Sequence, residues 1–588
     1  MNMRQQTVPR RTRRARPALA LVAVSVVAAC AAPERRFPLR PPLWRDTDLD
    51  PVSIPCPAGA KDAPPHQEGC APGTYQSSLM WDGADSIVFR PLSSAFRLQR
   101  GGEAIDVNSL DEVPDSAWFT NRLGVRPVSL DELRLAGCRE EQLLEPDAYP
   151  DGSWTIDAGK KGGSVPGFRV VVPGKGKYLM KATQAMERVA AADVIGIAIY
   201  HAVGFDTPCD QTIHVRPSLL TLRPNLQYKL SFDKGRPFDG EMLAKVLADT
   251  TAPDGRALMT ASAWLPGHVI GPFRYQGVRA DDPGDVIPHE DRRELRASRL
   301  LAAWINHFDT REGNTLDTWL STKPAAPAAS PGYVRHYQID TSESLSSDGW
   351  GQDELARRIG HAYVVDWGDL SGDFVTLGIR RRPWDDLRPA RNHPVFGYFD
   401  ADHFTPERWK NQYPNEAFDR MTERDGAWMA RILARFTPEM LRVLVALAQF
   451  TEPQDTAYLT RVLEGRLHKL LERYLTGLAP FADLRVDGPA RDQLCGVDLA
   501  ALRGLRPPAR FRFDARLADG AAVPVRRLSN AELCVTLPHR APDGGVPDDA
   551  PSRYTRLSLR DGVAREALTA YLYDLGPARG FVLAGLER

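Results

Sequence analysis

Asp309, Asn314 and Asp340 are the residues of this chain whose types and order suit a definite chemistry. An Asp is followed five residues later by an Asn, and 26 residues after that by a second Asp. In phosphoryl transfer, an Asp of this kind accepts the proton of the attacking hydroxyl. The Asn and the second Asp hold Mg²⁺ against the nucleotide phosphates. Arg311, between them, is placed to neutralise charge on the transferred group. All the ligating atoms are hard oxygens, as Mg²⁺ requires.

Such a site needs rigid elements to present it. Ala297, Leu300, Leu301, Trp304, Ile305 and Phe308 recur at helical spacing and predict one apolar face on a helix over 289–308, with Arg292, Arg293, Glu294, Arg296 and Arg299 largely off that face. Asp309 then falls on the loop just past a buried helix, and Val334–Ile339 reads as a strand that ends at Asp340. Upstream, Trp154–Lys181 parses as strand, glycine-rich turn, strand, Pro-Gly turn, strand. Gly159, Gly162, Gly163 and Gly167 are candidates for a loop whose N–H groups approach phosphates, and Lys181 closes the third strand as a candidate phosphate contact. The turn fits neither GxGxxG nor the Walker pattern. A helix from Gln184 to Val203, stopped by Gly204, follows. Glu187 is the first candidate to pair with Lys181, and Asp193 the second.

YLMKATQAMERVAAADVIGIAIYHAVGFDTP resembles the lysine strand and following helix of HipA-like kinases, HFDTREGNTLD their catalytic loop, and HYQID their metal-binding strand. More broadly, VPDSAWFTNR, DDPGDVIPHEDRRELR and WKNQYPNEAFDRM resemble a family of exported, myxobacterial-type lipoproteins with a HipA-like, atypical protein-kinase-like domain. The resemblance spans about 100–450 and reaches the C-terminus at GLER. It implies an α+β fold: a bilobal kinase-like domain with an N-lobe sheet plus helix and a helical C-lobe. It also implies Mg²⁺ and ATP as cofactors, Lys181 on the α/β-phosphates, Asp309 as base, and Asn314 and Asp340 as metal ligands. Where that family reads Asp-Phe-Gly, this chain reads Asp340-Thr341-Ser342, which favours the alternative of a non-catalytic, pseudokinase-type binding scaffold. A third reading is a hydrolase using the Asp309/Asp340 carboxylates, provided Lys181 lies elsewhere.

Arg4, Arg10, Arg11, Arg13, Arg14 and Arg16 precede an apolar stretch, Ala18 to Ala29, too short to span a bilayer. It ends in Val27-Ala28-Ala29-Cys30, which resembles a bacterial lipobox. That implies acylation of Cys30, partnership with a membrane through the lipid anchor, and an outer-membrane location in the cell envelope. Lys+Arg and Asp+Glu both number 75 in 588 residues, so no net field favours nucleic acid. Six further cysteines (Cys56, Cys70, Cys138, Cys209, Cys495, Cys534) permit disulfides in an exported chain, with Cys56–Cys70 and Cys495–Cys534 as the loop-stapling pairs.

The chain divides into a signal segment at 1–29, a Pro/Ala-rich tether at 30–85, an N-terminal extension and N-lobe at 86–285, a helical C-lobe at 286–478 and a C-terminal β-domain at 479–588. Helices are expected over 437–450 and 455–475, and a sandwich in the last hundred residues. His289-Glu290 is not HExxH and is read as ordering the helix entry. Asp281, Asp282 and Asp285 read as turn residues, and His307 and His336 as packed side chains.

Overall fold

Two turns, one glycine-rich and one Pro-Gly, fold residues 154–181 into an antiparallel meander, and this meander is the centre of the largest sheet. From edge to edge that sheet runs Asp210–Val215, Ala257–Ala263, Gly176–Lys181, Gly167–Val172, Trp154–Gly159 and Leu220–Leu222. All its pairs are antiparallel except Trp154–Gly159 with Leu220–Leu222. The helix Met186–Val203 leaves the third strand and packs on this sheet. The computed structural model describes residues 36–40, 44–55, 70–75, 79–96, 101–163, 165–182, 186–229, 235–248, 250–252, 254–323, 330–345, 353–505, 507, 512–540 and 545–588. The signal segment, Cys30 and Cys56 lie outside the described residues. Phe37–Arg588 forms a compact unit separate from Met1–Arg36.

The chain is α+β. A three-stranded sheet, Gly332–Gln338, Thr315–Ser321 and His268–Gly271, lies beside a helical body. The main core joins the helices Met186–Val203, Arg293–Ile305, Glu423–Leu433, Pro438–Ala446 and Pro453–Tyr474. Leu459, Val462, Leu463, Leu467, Leu470, Leu471 and Tyr474 are all buried on one face of the last of these. Residues 481–587 form two four-stranded antiparallel sheets around one shared apolar cluster. A disulfide, Cys495–Cys534, ties the directly paired strands Gln493–Asp498 and Glu532–Thr536. A second disulfide, Cys138–Cys209, closes 71 residues around the N-terminal part of the large sheet. Cys70 is also disulfide-bonded.

Part of the segment read as a tether is fixed to the body. Phe37 is buried with Tyr571 and Tyr573, and its N–H donates to the Tyr554 hydroxyl at 3.1 Å. Val52 bridges to Gly332, and Ile54 to Cys70. Asp46 forms an ion pair with Arg292 at 2.7 Å.

The helix expected over 289–308 is Arg293–Ile305, entered through a 3₁₀ turn at His289–Asp291 and closed by Asn306 in the left-handed region. Its arginines other than Arg299 are not solvated. Arg292, Arg293, Glu294 and Arg296 are as buried as the apolar stripe. Arg293 pairs with Asp111 at 2.8 Å and with Asp425 at 3.2 Å, and Arg296 with Asp291 at 2.6 Å. Asp111 also receives Arg588 at 2.8 Å and Arg431 at 3.5 Å, so it joins the helix, a neighbouring helix and the β-domain. Burial alone would raise its carboxyl, but Arg293, Arg431 and Arg588 outweigh burial and hold it well below the usual carboxylate range.

Replacing Asp111 with Asn keeps the positive φ of 61° within reach, since Asn tolerates that region, and removes the charge shared by three guanidiniums. The expected loss is about 3–5 kcal/mol, read from urea denaturation. A loss below ~1 kcal/mol would mean that the arginines find other partners.

Candidate functional site

The hairpin Thr315–Ser321/Gly332–Gln338 explains how residues 26 apart in sequence meet. Its register pairs Thr315 with Gln338, so one step beyond the ladder Asn314 lies opposite Ile339, beside Asp340. The Ile339 N–H donates to the Asn314 carbonyl at 3.2 Å and fixes that step. The Asn314 amide in turn donates to both the backbone oxygen (2.7 Å) and Oδ2 (2.8 Å) of Asp309. Asp309, Asn314 and Asp340 are thereby brought to one place.

Lys181 reaches the same place from the large sheet. Its buried Nζ donates to Asp193 Oδ2 at 2.9 Å and lies 3.4 Å from Asp340 Oδ1. The acid that pairs with Lys181 is therefore Asp193 and not Glu187. Glu187 lies in the first turn of the same helix and accepts from Thr451, N–H at 3.1 Å and hydroxyl both. Burial opposes charge on Lys181, but Asp193 and Asp340 more than reverse this and hold the ammonium charged. Burial likewise opposes charge on Asp340, and Lys181 with Lys160 outweighs it, so this carboxyl is held below its ordinary range. Asp309 is pushed upward, by burial first and then against Arg311, whose Nε is 2.8 Å from its Oδ1.

The turn after Asp340 is buried. The Thr341 hydroxyl donates into the helix carbonyls of Ala192 (3.1 Å) and Asp193 (2.9 Å), and a Cβ on Gly196 would collide with it. The Ser342 N–H (3.1 Å) and hydroxyl (2.6 Å) both donate to Asp340 Oδ1. Asp340 Oδ2 has no partner among the described residues. Asp340 Oδ2 and the Asn314 amide oxygen are hard oxygen donors of the kind that Mg²⁺ takes. Among the described residues no group of three or more His, Cys, Asp or Glu side chains is arranged to hold a metal alone.

The glycine-rich turn is spoken for in part. At Gly159 and Gly167 a Cβ would meet the carbonyls of Gln227 and Met180, so these two serve close strand packing. Gly162 and Gly163 take positive φ at the turn, and the Gly162 N–H donates to Lys229 O at 2.7 Å. Lys160, at the root of the turn, was not picked out by its sequence. Its Nζ donates to Val165 O at 2.8 Å, and its pKa is lowered to about 8 by burial and then by Lys181.

Other supports also escaped the sequence reading. The WKNQYPNEAF segment grips the loop: Gln412 N–H donates to Phe308 O (2.8 Å), Asn411 Nδ2 to the Thr310 hydroxyl (2.8 Å) and Asn415 Nδ2 to Thr310 O (3.4 Å). Arg466 donates to the terminal helix carbonyls of Ala303 (2.6 Å) and Trp304 (2.7 Å), a cation at a helix C-terminus. A row of short polar residues carries no spacing signal of its own; only the repeated amide side chains hint at backbone gripping. His307 is buried against the Tyr200 hydroxyl at 3.1 Å, and burial lowers it to about 4. His336 stacks on Trp118 and bonds Asp317 at 2.6 Å; His289 bonds Asp285 at 2.7 Å.

Comparison of the chain with family models, with curated proteins and with solved structures finds no match.

Asp210, buried beside this site, has its carboxyl pushed up to about 8 by burial and by Asp193, against Lys181. An unfolded Asp titrates near ~3.9. Between about pH 4 and about 8 the folded chain therefore holds a proton that the unfolded chain has lost, and this group's contribution to stability declines as pH rises through that window. Asp210→Asn removes the decline. The stability of the variant relative to wild type should grow from pH 5 to pH 8 in denaturant titrations; a pH-independent difference would rule out the buried proton.

Proposed function

We propose that the protein is an envelope lipoprotein, anchored at the outer membrane through Cys30, whose kinase-like domain transfers a phosphoryl group from a Mg-nucleotide to a hydroxyl acceptor. The observation that carries this is the three-way charge set, Lys181 between Asp193 and Asp340. In protein kinases a strand lysine, paired with an acid on the following helix, contacts the phosphates, and a second Asp holds the metal. The meander with a glycine-rich first turn and a lysine closing its third strand supports an N-lobe, and the helical core behind the Asp309 loop supports a C-lobe. In this reading the C-terminal pair of sheets is an appended β-domain.

Lys181, held charged, draws the α/β-phosphates. Asp309, fixed by the Asn314 amide, lies where it can take the hydroxyl proton, and its upward shift suits a base better than a fully solvated carboxylate would. Asn314 and the free Oδ2 of Asp340 would hold the Mg²⁺. When bound, that ion would neutralise charge on the β- and γ-phosphates. Arg311, already paired with Asp309, keeps the base oriented.

A second reading is a pseudokinase-type scaffold. It is favoured by the turn, where the Gly162 N–H is committed to Lys229 and Lys160 reaches back to Val165. The hydrolase reading requires Lys181 away from the carboxylates, and the 3.4 Å approach to Asp340 speaks against it.

Calorimetric titration with ATP separates the first two. Mg²⁺-dependent binding should be lost in Asp340→Ala and weakened in Asp193→Asn, and Lys181→Met should cut phosphoryl transfer at least ~100-fold. No Mg²⁺-dependent ATP binding, with Asp340→Ala unchanged from wild type, would refute the enzymatic reading and leave the scaffold.

A further inference from the structure

Two surface segments carry large apolar side chains that the fold leaves in solvent. On 79–96, Met80, Trp81, Phe89, Leu92 and Phe96 are between 51% and 87% exposed. On 367–379, Trp367, Phe374, Val375, Leu377 and Ile379 are between 58% and 86% exposed. The two are one surface, because the Trp367 indole donates to the Ile87 carbonyl at 3.2 Å. A scattering of single apolar residues on a surface is ordinary, whereas a joined patch of this kind marks an interaction face.

We propose that this joined surface docks on a lipid bilayer, with its aromatic and aliphatic tips among the headgroups and outer acyl carbons. The choice of a bilayer as occupant rests on the anchoring reading of Cys30 and on three further observations. Arg380, Arg381 and Arg382 follow Ile379 directly, and Arg381 meets its partner Asp386 only at 3.7 Å in an exposed pair, so its charge is available to anionic headgroups. Trp81 and Trp367 supply the amphipathic rings that favour the membrane–water interface. Chain length supplies the third. Phe37, buried against Tyr571 and Tyr573, follows Cys30 by seven residues, so an acylated Cys30 would hold this edge of the body within ~25 Å of the membrane. No described helix is long and apolar enough to cross a membrane.

The docking face is joined to the Asp309 loop. Arg90 bonds Asp85 through Nε at 2.7 Å and reaches Glu312 with Nη1 at 2.9 Å. Docking would therefore hold the Asp309–Asn314 loop next to the bilayer.

Flotation with vesicles of phosphatidylethanolamine and phosphatidylglycerol tests this, using the full chain carrying Cys30→Ser, which has no thiol to acylate. Its partner in the experiment is the same chain with Phe374→Ser, Leu377→Ser and Ile379→Ser added. Both share one N-terminus, so a difference between them belongs to the face. The Cys30→Ser chain should float with the vesicles, and the triple substitution should reduce the floated fraction roughly 10-fold at an unchanged thermal melt. Failure of the Cys30→Ser chain to float, or equal flotation of the two, would overturn the proposal. So would a dimer of the Cys30→Ser chain in gel filtration that the triple substitution dissociates without altering flotation. The acylated wild-type chain reports on the anchor separately: its flotation alone, with none for Cys30→Ser, would sustain the anchor and sink the docking face.

Discussion

The geometry of the site depends on a row of buried guanidiniums along one helix. Arg292, Arg293 and Arg296 on Arg293–Ile305 and its entry turn are held by Asp46, Asp111, Asp291 and Asp425, drawn from four separate stretches of chain. Burying such charges costs several kcal/mol each unless partners are well placed, and removing one partner leaves the full penalty uncompensated. Such a network adds little net stability over an apolar core, but it tolerates only one arrangement of the elements that supply the acids. Arg466 closes the other end by capping the carbonyls of Ala303 and Trp304. The helix is thus pinned at both ends, and the loop that begins three residues after it inherits that position.

At the other side of the site, charge is balanced locally. Two lysines, Lys160 and Lys181, face Asp193 and Asp340, with Asp210 held neutral nearby by burial and by Asp193. A neutral Asp210 matters, because a third carboxylate charge would compete with Asp193 and Asp340 for Lys181. Lys160, with a pKa near 8, is the softer of the two cations, since burial and its neighbour Lys181 both act against its charge.

Much of this arrangement was legible from residue type and period. The apolar stripe ending at Phe308, the meander with Lys181 at its close, and the strand before Asp340 follow from spacing alone. Three features did not. The helix Met186–Val203 is apolar almost all round, so no stripe indicates which side meets Lys181, and Glu187 ranks before Asp193 on paper. Six residues along a helix rotate a side chain by about 600°, so the two acids cannot face the same strand end, and packing chose Asp193. The arginines of the presenting helix were equally opaque. Charged residues off an apolar stripe ordinarily face water, and their acids lie up to 246 residues away in sequence, beyond the reach of any local pattern. The amide grip of Asn411, Gln412 and Asn415 is hidden for the same reason.

The turn after Asp340 holds that carboxylate through two hydroxyl side chains. Thr341 anchors its hydroxyl on the carbonyls of Ala192 and Asp193, in the space that Gly196 provides. Ser342 then clamps Asp340 Oδ1 from both its N–H and its hydroxyl, while Lys181 approaches the same oxygen. Two hydrogen bonds and a nearby ammonium on one oxygen hold the carboxylate in a single orientation. Asp340 is thus fixed beside the Lys181–Asp193 pair, so any group that bound there would meet a preformed site.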